Sequence, residues 1–521
     1  MARKRWLLLL PCGGILMALC LVFPEIGVLE WVGMTPALVW LFARAREERR
    51  PRTLRAYGAG VLYYLPFYLV VYHWFFYLYP MEFAGVTKAE AAVLVLICWL
   101  GLSLLQTVFS ALVFPLFFWL CQTRLVKVRP VLMPFLFAAQ YTVAEWSQTF
   151  TWMGVPWARL ALGQLEHSIL LGSASLFGSY FITLLLVAVN GLLAYAFLHF
   201  ENDRFCARAA AVLLALALLT GVIGGATLPE NKGEGVVVAA VQGNIGSSQK
   251  WTSESNRKTM EVYEKYTAEA AAAGAQIVLF PETFLPHTFR AIESYVTRLA
   301  TTYQVTLMFG AFLPEGGEEY NAVFTVYPDG SVDESVYRKR HLVPFGEYVP
   351  WRPVIEALIP PLADIGMLSS DLAAGEDSEL VEMSFGRVGA LICFDSIYES
   401  LVLDSVRDGA ELLVLPTNDS WFTDSAAAHM HNGQARLRAI ECGRWILRSA
   451  DTGISAVISP TGQTYAEQPP MVEGVSIATV YPSSARTLYS RIGNFLVYLL
   501  IAAVLALPCY ELWLHRPRKK Q

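Results

Sequence analysis

Apolar runs long enough to cross a bilayer fill the first 227 residues of this 521-residue chain, and they constrain its fold more than any other feature. They fall at about 6–24, 27–43, 57–79, 90–121, 130–147, 168–198 and 208–227, with an eighth near 492–514. In lipid every backbone N–H and C=O must bond within the segment, so such runs are expected as membrane-spanning helices. The fourth and sixth exceed what one span requires, which calls for tilt, an interfacial extension or a broken helix. The first follows Met-Ala-Arg-Lys-Arg as a secretory leader would. It lacks a small-residue cleavage site and runs straight into the second, so it is read as a retained anchor.

Basic residues orient the spans. Arg3, Lys4 and Arg5 precede the first run, and Arg44, Arg46, Arg49, Arg50, Arg52 and Arg55 separate the second from the third. Arg124, Lys127 and Arg129 separate the fourth and fifth, Arg204 and Arg208 the sixth and seventh, and Arg516, Arg518, Lys519 and Lys520 close the chain. With eight spans all of these clusters fall on one side, which the positive-inside rule makes cytoplasmic. The intervening loops around Glu25, Glu82 and Glu166 are poor in lysine and arginine. Both termini are then expected inside and the polar region 235–485 outside. With 55% hydrophobic and 16% charged residues the chain is too apolar for an ordinary soluble enzyme, and a net charge of −5 offers nothing to nucleic acid.

Region 235–485 has another texture. Short β-branched runs (236–245, 276–280, 305–313, 321–327, 388–393, 411–416, 454–459 and 476–481) alternate in part with helical stretches at 253–273, 288–302 and 427–445. That pattern argues for an α/β domain with helices packed on its sheet. The pair MFGAFL…NAVFTVYPDG suggests an antiparallel hairpin and hence a mixed sheet. The expected organisation is seven helices in 1–230, a catalytic domain in 235–485, an eighth helix in 490–515 and a basic tail at 516–521.

Three words in that domain carry chemistry: PETF at 281–284, KRHLVPFGEYVP at 339–350 and LICFD at 391–395. They place Glu282, Lys339 and Cys393 each at or near the end of an apolar, strand-like run. A carboxylate, an ammonium and a thiol together can move a proton, hold an oxyanion and form a covalent acyl intermediate. Alone, each has a plainer reading: a buried strand cysteine, a solvated lysine, a helix N-terminal acid. The other cysteines are Cys12, Cys20, Cys98, Cys121, Cys206, Cys442 and Cys509, and all but Cys442 lie in or beside apolar segments. No zinc-type pair and no glycine-rich phosphate loop occurs, so no metal or cofactor is expected.

These words, with VQGNI…KW at 241–251, NDSWF at 418–422 and RAIE…R…R…TG from 438 to 453, resemble the nitrilase, or carbon–nitrogen hydrolase, superfamily. Coupled to eight spans, they resemble its membrane-embedded branch, the apolipoprotein N-acyltransferase family. The resemblance implies an eight-span α-helical bundle carrying an αββα sandwich. It implies Glu282 as general base, Lys339 as oxyanion stabiliser, Cys393 as nucleophile, Glu347 as a second acid and Trp251 as a tryptophan needed for activity. It further implies a glycerophospholipid acyl donor such as phosphatidylethanolamine, and as acceptor the α-amino group of the diacylglyceryl-cysteine of an apolipoprotein. The setting would be the bacterial inner membrane, with the catalytic domain periplasmic and the protein a monomer. The chain departs from the family's usual Tyr-Glu after the cysteine: Phe394 lacks the hydroxyl and Asp395 is one methylene shorter. Asp451 stands where the family often has asparagine.

The proline-broken segment 351–368 is too short to span. It is either an arm dipping into the interface, with Trp351, Ile355, Leu358, Ile359 and Leu362 touching lipid, or a packed insertion. Trp421 and Phe422 are candidates for the same pocket. His287, His341, His429 and His431 are read as lying either behind the reacting groups or on the surface, because the trio already supplies a base. A membrane-anchored amidase acting on a soluble carbon–nitrogen substrate would use the same trio. A transporter would place ionisable residues in its spans near the midplane, where this chain has few.

Overall fold

The computed structural model describes residues 6–47, 53–81, 86–198, 203–229, 231, 233–246, 253–358 and 371–514. The chain divides into a helical unit (1–73, 97–226 and 492–521) and a mixed unit (74–96 and 227–491).

Among the described residues six helices are long and apolar enough to cross a membrane: Pro24–Glu47, Thr53–Leu78, Lys88–Leu120, Ser179–Leu198, Arg204–Ala226 and Phe495–Trp513. Six of the eight expected spans meet that criterion. The other two runs form helices Leu9–Val22, of 14 residues, and Met133–Ser147, of 15. At about 1.5 Å per residue, neither alone reaches across a hydrocarbon core of about 30 Å. Both over-long runs are broken. The fourth divides into Lys88–Ser110 and Val113–Leu120, and the sixth reaches Ser179–Leu198 through two single-turn helices and Gly178 at φ +78°.

Close approach and internal hydrogen bonds hold the helical unit together. A Cβ on Gly14 would lie 2.1 Å from the Tyr63 carbonyl oxygen, so this glycine lets helices Leu9–Val22 and Thr53–Val71 touch along their backbones. Asn190 Oδ1 accepts the main-chain N–H groups of Met34 and Thr35, both at 2.9 Å, and its Nδ2 donates to the Glu30 carbonyl at 2.7 Å. One buried amide thereby satisfies donors freed where a helix restarts.

Among its described residues the mixed unit contains twelve strands. They are β1 (Val236–Gln242), β2 (Ile277–Leu279), β3 (Thr306–Glu315), β4 (Glu318–Val326), β5 (Tyr337–Arg338), β6 (Leu380–Met383), β7 (Gly386–Ala390), β8 (Leu412–Thr417), β9 (Ile446–Ala450), β10 (Ser455–Ile458), β11 (Thr464–Gln468) and β12 (Gly474–Val480). The first sheet has the order β12-β1-β2-β3-β4-β5 and the second β11-β10-β9-β8-β7-β6. In each, three central strands are parallel and the flanking ones antiparallel. The hairpin expected at 305–327 is β3–β4, and the sheets are mixed as expected.

Apolar residues from the facing sides of both sheets, including Val238, Ile277, Met308, Val388, Leu412 and Leu447, form one buried cluster. Helices α1 (Ser253–Ala272) and α2 (Phe289–Tyr303) cover the outer face of the first sheet. After α3 (Arg352–Leu358), helices α4 (Glu399–Asp408) and α5 (Ala426–Cys442) pack on the second. The result is an αββα sandwich in which the central strands, buried on both sides, read as continuous apolar runs.

Candidate active site

The sandwich places its reactive side chains just beyond the carboxyl ends of parallel strands, where open α/β sheets offer a crevice. Glu282 lies three residues after β2, Cys393 three after β7 and Asp419 two after β8. Lys339 follows β5, and its main-chain N–H and C=O bond to Asn321 and Gly375, both at 2.8 Å.

These elements converge on one ion cluster. Lys339 Nζ lies 2.9 Å from Glu282 Oε1 and 2.9 Å from Glu347 Oε1, with the lysine only 1% exposed. Asn321 Nδ2 donates to the same two oxygens at 2.7 and 3.0 Å. Main-chain N–H groups fix the remaining oxygens: Asn418 donates to Glu282 Oε2 and Val343 to Glu347 Oε2, each at 2.8 Å. A buried carboxylate and a partly buried one thus share one ammonium and one amide. Burial works to lower the Lys339 pKa, but Glu282 and Glu347 outweigh it and hold the ammonium well above its usual value.

Cys393 begins a 3-10 turn, Cys393–Ile397, at φ +48°, a conformation an L-residue with a side chain pays for in strain. Asp395 braces this elbow. Its Oδ2 accepts from the Tyr337 hydroxyl at 2.8 Å and from Ile392 N–H at 3.0 Å, and its Oδ1 accepts from His341 N–H at 2.7 Å. The shorter acid is therefore fully engaged as a hydrogen-bond acceptor. Burial lifts its pKa to about 6, against the pull of Lys339 and those three donors. Burial also pushes the Cys393 thiol well above its usual range; Glu282 adds to that, and Lys339 opposes it. The resting thiol is consequently protonated. Moving its proton to Glu282 would leave the Lys339 charge to the thiolate.

A second ion cluster lies beside the thiol. Cys393 Sγ, a carboxylate oxygen of Asp419 and a ring nitrogen of His431 lie within 4.8 Å of one another. His431 Nδ1 is 2.8 Å from Asp419 Oδ1, and Arg448 Nη2 is 2.7 Å from Asp419 Oδ2. The donor set is one that could hold a metal ion, but Arg448 already supplies the positive charge there. Burial opposes the Asp419 anion, yet Arg448 and His431 hold its pKa well below the usual carboxylate range.

Of the other residues singled out by sequence, Phe394 is half-buried and packs edge-on against Tyr398, ring centroids 5.5 Å apart. Phe422 packs edge-on against Trp74 and His431, and Trp421 is half-buried beside it. Trp351 and Leu358 are exposed and Ile355 half-buried on or beside α3. Trp251, Ile359 and Leu362 lie outside the described residues. His341 stacks on Tyr398, and burial, with Lys339 nearby, lowers its pKa to about 4. Of the two places expected for His431, at the surface or behind the reacting groups, it takes the second: it is 1% exposed and reaches the main chain of Cys393. Asn321 and Asp419 were also missed. The only signal for Asn321 was an amide in an otherwise apolar strand, and Asp419 stood unremarked inside NDSWF.

Two family models match the chain: "Apolipoprotein N-acyltransferase N-terminal domain" over residues 13–192 and "Carbon-nitrogen hydrolase" over residues 237–489. A relative from Gloeobacter violaceus, named apolipoprotein N-acyltransferase, is 32% identical over 488 residues, covering 92% of this chain and 89% of the relative. Proteins of the same name from Geobacter metallireducens and Synechocystis sp. are 29% and 27% identical. They cover 96% and 90% of this chain, and 94% of each relative is matched. Apolar helices and a carbon–nitrogen hydrolase domain make this a membrane protein with an enzyme fold, and the chain belongs to the apolipoprotein N-acyltransferase family.

Proposed function

We propose that the protein transfers an acyl chain from a glycerophospholipid, through a thioester on Cys393, to the α-amino group of a diacylglyceryl-cysteine at an apolipoprotein N-terminus. The observation that carries the reading is the Glu282–Lys339–Glu347 cluster beside a strained cysteine elbow, in a chain whose relatives carry that name along nearly their full length.

In the first half-reaction Glu282 takes the Cys393 thiol proton and the thiolate attacks the ester carbonyl. Lys339 Nζ holds the tetrahedral oxyanion. Collapse breaks the ester C–O bond, and the lysophospholipid alcohol leaves with the proton from Glu282. In the second, the acceptor amine attacks the thioester and Glu282 takes its proton. Collapse then breaks the C–S bond, releasing the amide, and the proton returns to sulfur. Phosphatidylethanolamine is the donor we favour, and a monomer suffices. An amidase reading would use the same trio, but nothing in the chain's relatives favours it.

We also place Glu282, Lys339 and Cys393 in a periplasmic domain, with both termini cytoplasmic. With their preceding 3-10 turns, the two shorter helices run over 6–22 and 130–147, long enough for about 26 Å. Counting both as crossings keeps all five basic clusters on one side, whereas six crossings alone would split them. The exposed Trp351 and Leu358 fit an arm that touches lipid. Unchanged phospholipid turnover after truncating both to alanine would remove that role.

The test is peptide mass analysis of purified protein incubated with phosphatidylethanolamine, with Cys393→Ala in parallel. A hydroxylamine-labile acyl adduct on the Cys393 peptide, absent from the variant and discharged by a diacylglyceryl peptide, is expected. Turnover of a soluble amide with no adduct would overturn the reading.

A further inference from the structure

The elbow that presents Cys393 is gripped from behind. The main-chain carbonyl of Cys393 receives the Ser396 hydroxyl at 2.7 Å and faces His431 Nε2 at 3.2 Å. His431 Nε2 is also 3.1 Å from Ser396 Oγ, so ring, hydroxyl and carbonyl form a closed triangle. The opposite ring edge is fixed by Asp419, whose Oδ1 also accepts the Thr417 hydroxyl at 3.0 Å. Asp419 is anchored in turn by Arg448, which also bonds the Ile454 carbonyl. Asp419, Arg448 and His431 are each at most 1% exposed.

Such an assembly is costly to bury, and the acyl-transfer steps do not use it. A left-handed backbone at a residue other than glycine persists only where its surroundings over-determine it. Asp395 holds the elbow through the N–H of Ile392 on one flank. Beyond the main-chain bonding of its own 3-10 turn, the carbonyl that follows the strained φ is held by the Ser396 hydroxyl and His431.

We propose that His431, its ring held between Asp419 and Arg448 with Nδ1 accepting an Arg448 N–H at 3.1 Å, is a positioning residue for the nucleophile: its Nε2–H holds the Cys393 carbonyl and thereby keeps Sγ aimed at the Lys339 charge. The proposal rests on Cys393 being the nucleophile, not on the identity of either substrate. The charged and titratable groups around the thiol are Glu282 after β2, Lys339 after β5, Asp395 in the elbow turn, Asp419 after β8 with Arg448 on β9, and His431 itself on α5. If the grip loosens, Sγ drifts from Lys339, whose ammonium favours the thiolate, and the thiol becomes harder to ionise.

The amide nitrogen of glutamine reaches where Nε2 stands in histidine, and that of asparagine where Nδ1 stands. His431→Gln therefore keeps the donor to the Cys393 carbonyl, and His431→Asn removes it. The measurement is the pH dependence of Cys393 alkylation by iodoacetamide on the full-length protein in detergent, with no lipid substrate present. His431→Asn is expected to move the alkylation midpoint upward by about one pH unit and, with phospholipid, to slow acylation about tenfold at unchanged KM. His431→Gln should stay near the wild type. Ser396→Ala, a milder change on the same carbonyl, should shift the midpoint the same way by less, and it serves alone if the His431 variants do not fold. An unmoved midpoint in His431→Asn, or in Ser396→Ala, overturns the proposal. A shifted midpoint in protein that never forms an acyl adduct would sink the acyl-transfer reading and leave this one standing.

Discussion

Lys339 and Glu282 meet at 2.9 Å inside the sandwich, 1% and 5% exposed, with Glu347 on the other side of the same ammonium at the same distance. One positive charge thus serves two carboxylates, and removing the lysine leaves both uncompensated in a medium that tolerates this poorly.

Lys339→Met is therefore expected to lose the acyl adduct and also to destabilise the fold by about 3–5 kcal/mol, since it strands the buried Glu282 and the partly buried Glu347. Thermal unfolding in detergent beside adduct mass analysis checks both. A variant as stable as wild type would show that the pair is well solvated.

Asn321→Asp changes almost no volume but reverses the hydrogen-bonding sense toward Glu282 and Glu347. Loss of one donor and addition of a third carboxylate should lower acyl-enzyme formation about 100-fold or more. Stopped-time measurement of adduct appearance reads this directly, and wild-type kinetics would mean the amide is a bystander.

Gly310 on β3 backs onto the catalytic carboxylate. A Cβ there would lie 2.7 Å from Glu282 Cα and 2.6 Å from Thr283 N, and backbone cannot step aside as a flexible side-chain tip can. Gly310→Ala should cost about 1–3 kcal/mol of stability through overpacking and slow acylation by displacing Glu282. Its chevron or melting curve against wild type decides whether the strand absorbs the methyl group.

Asp395 gives a pH signature. Its folded pKa of about 6 lies above the ordinary carboxylate value, so folding favours the protonated acid. That contribution to stability is complete below about pH 4 and is lost as pH rises toward 6, an amount of about 3 kcal/mol. Unfolding stability measured from pH 4 to 7 should thus fall more steeply in wild type than in Asp395→Asn. Equal slopes would exclude Asp395 as the titrating group. Activity should run the other way: only the carboxylate can accept from Tyr337, Ile392 and His341 together, so acylation should weaken below about pH 6.

Sequence alone reached a good deal of this protein. Apolar runs marked the helices, because lipid demands an apolar surface over a fixed length. β-branched runs marked the strands, and the ends of those runs marked Glu282 and Cys393, because a parallel strand buried on both faces must stop being apolar where its crevice begins. The hairpin of β3 and β4 was legible from its paired runs and glycine turn.

Only the tertiary structure decided the rest, because it depends on which distant strand ends meet. Asn321 joins Glu282 across 39 residues, Asn418 reaches it across 136, and His431 reaches the Cys393 carbonyl across 38. Local sequence sets a residue's direction along a helix or strand, but not the partner that makes its burial affordable. For that reason the sequence left His431 between surface and support and did not single out Asn321, while folding set one behind the Cys393 elbow and the other against Glu282. The same holds for the helices, whose breaks at Ser110–Val113 and Gly178 no hydropathy count could locate.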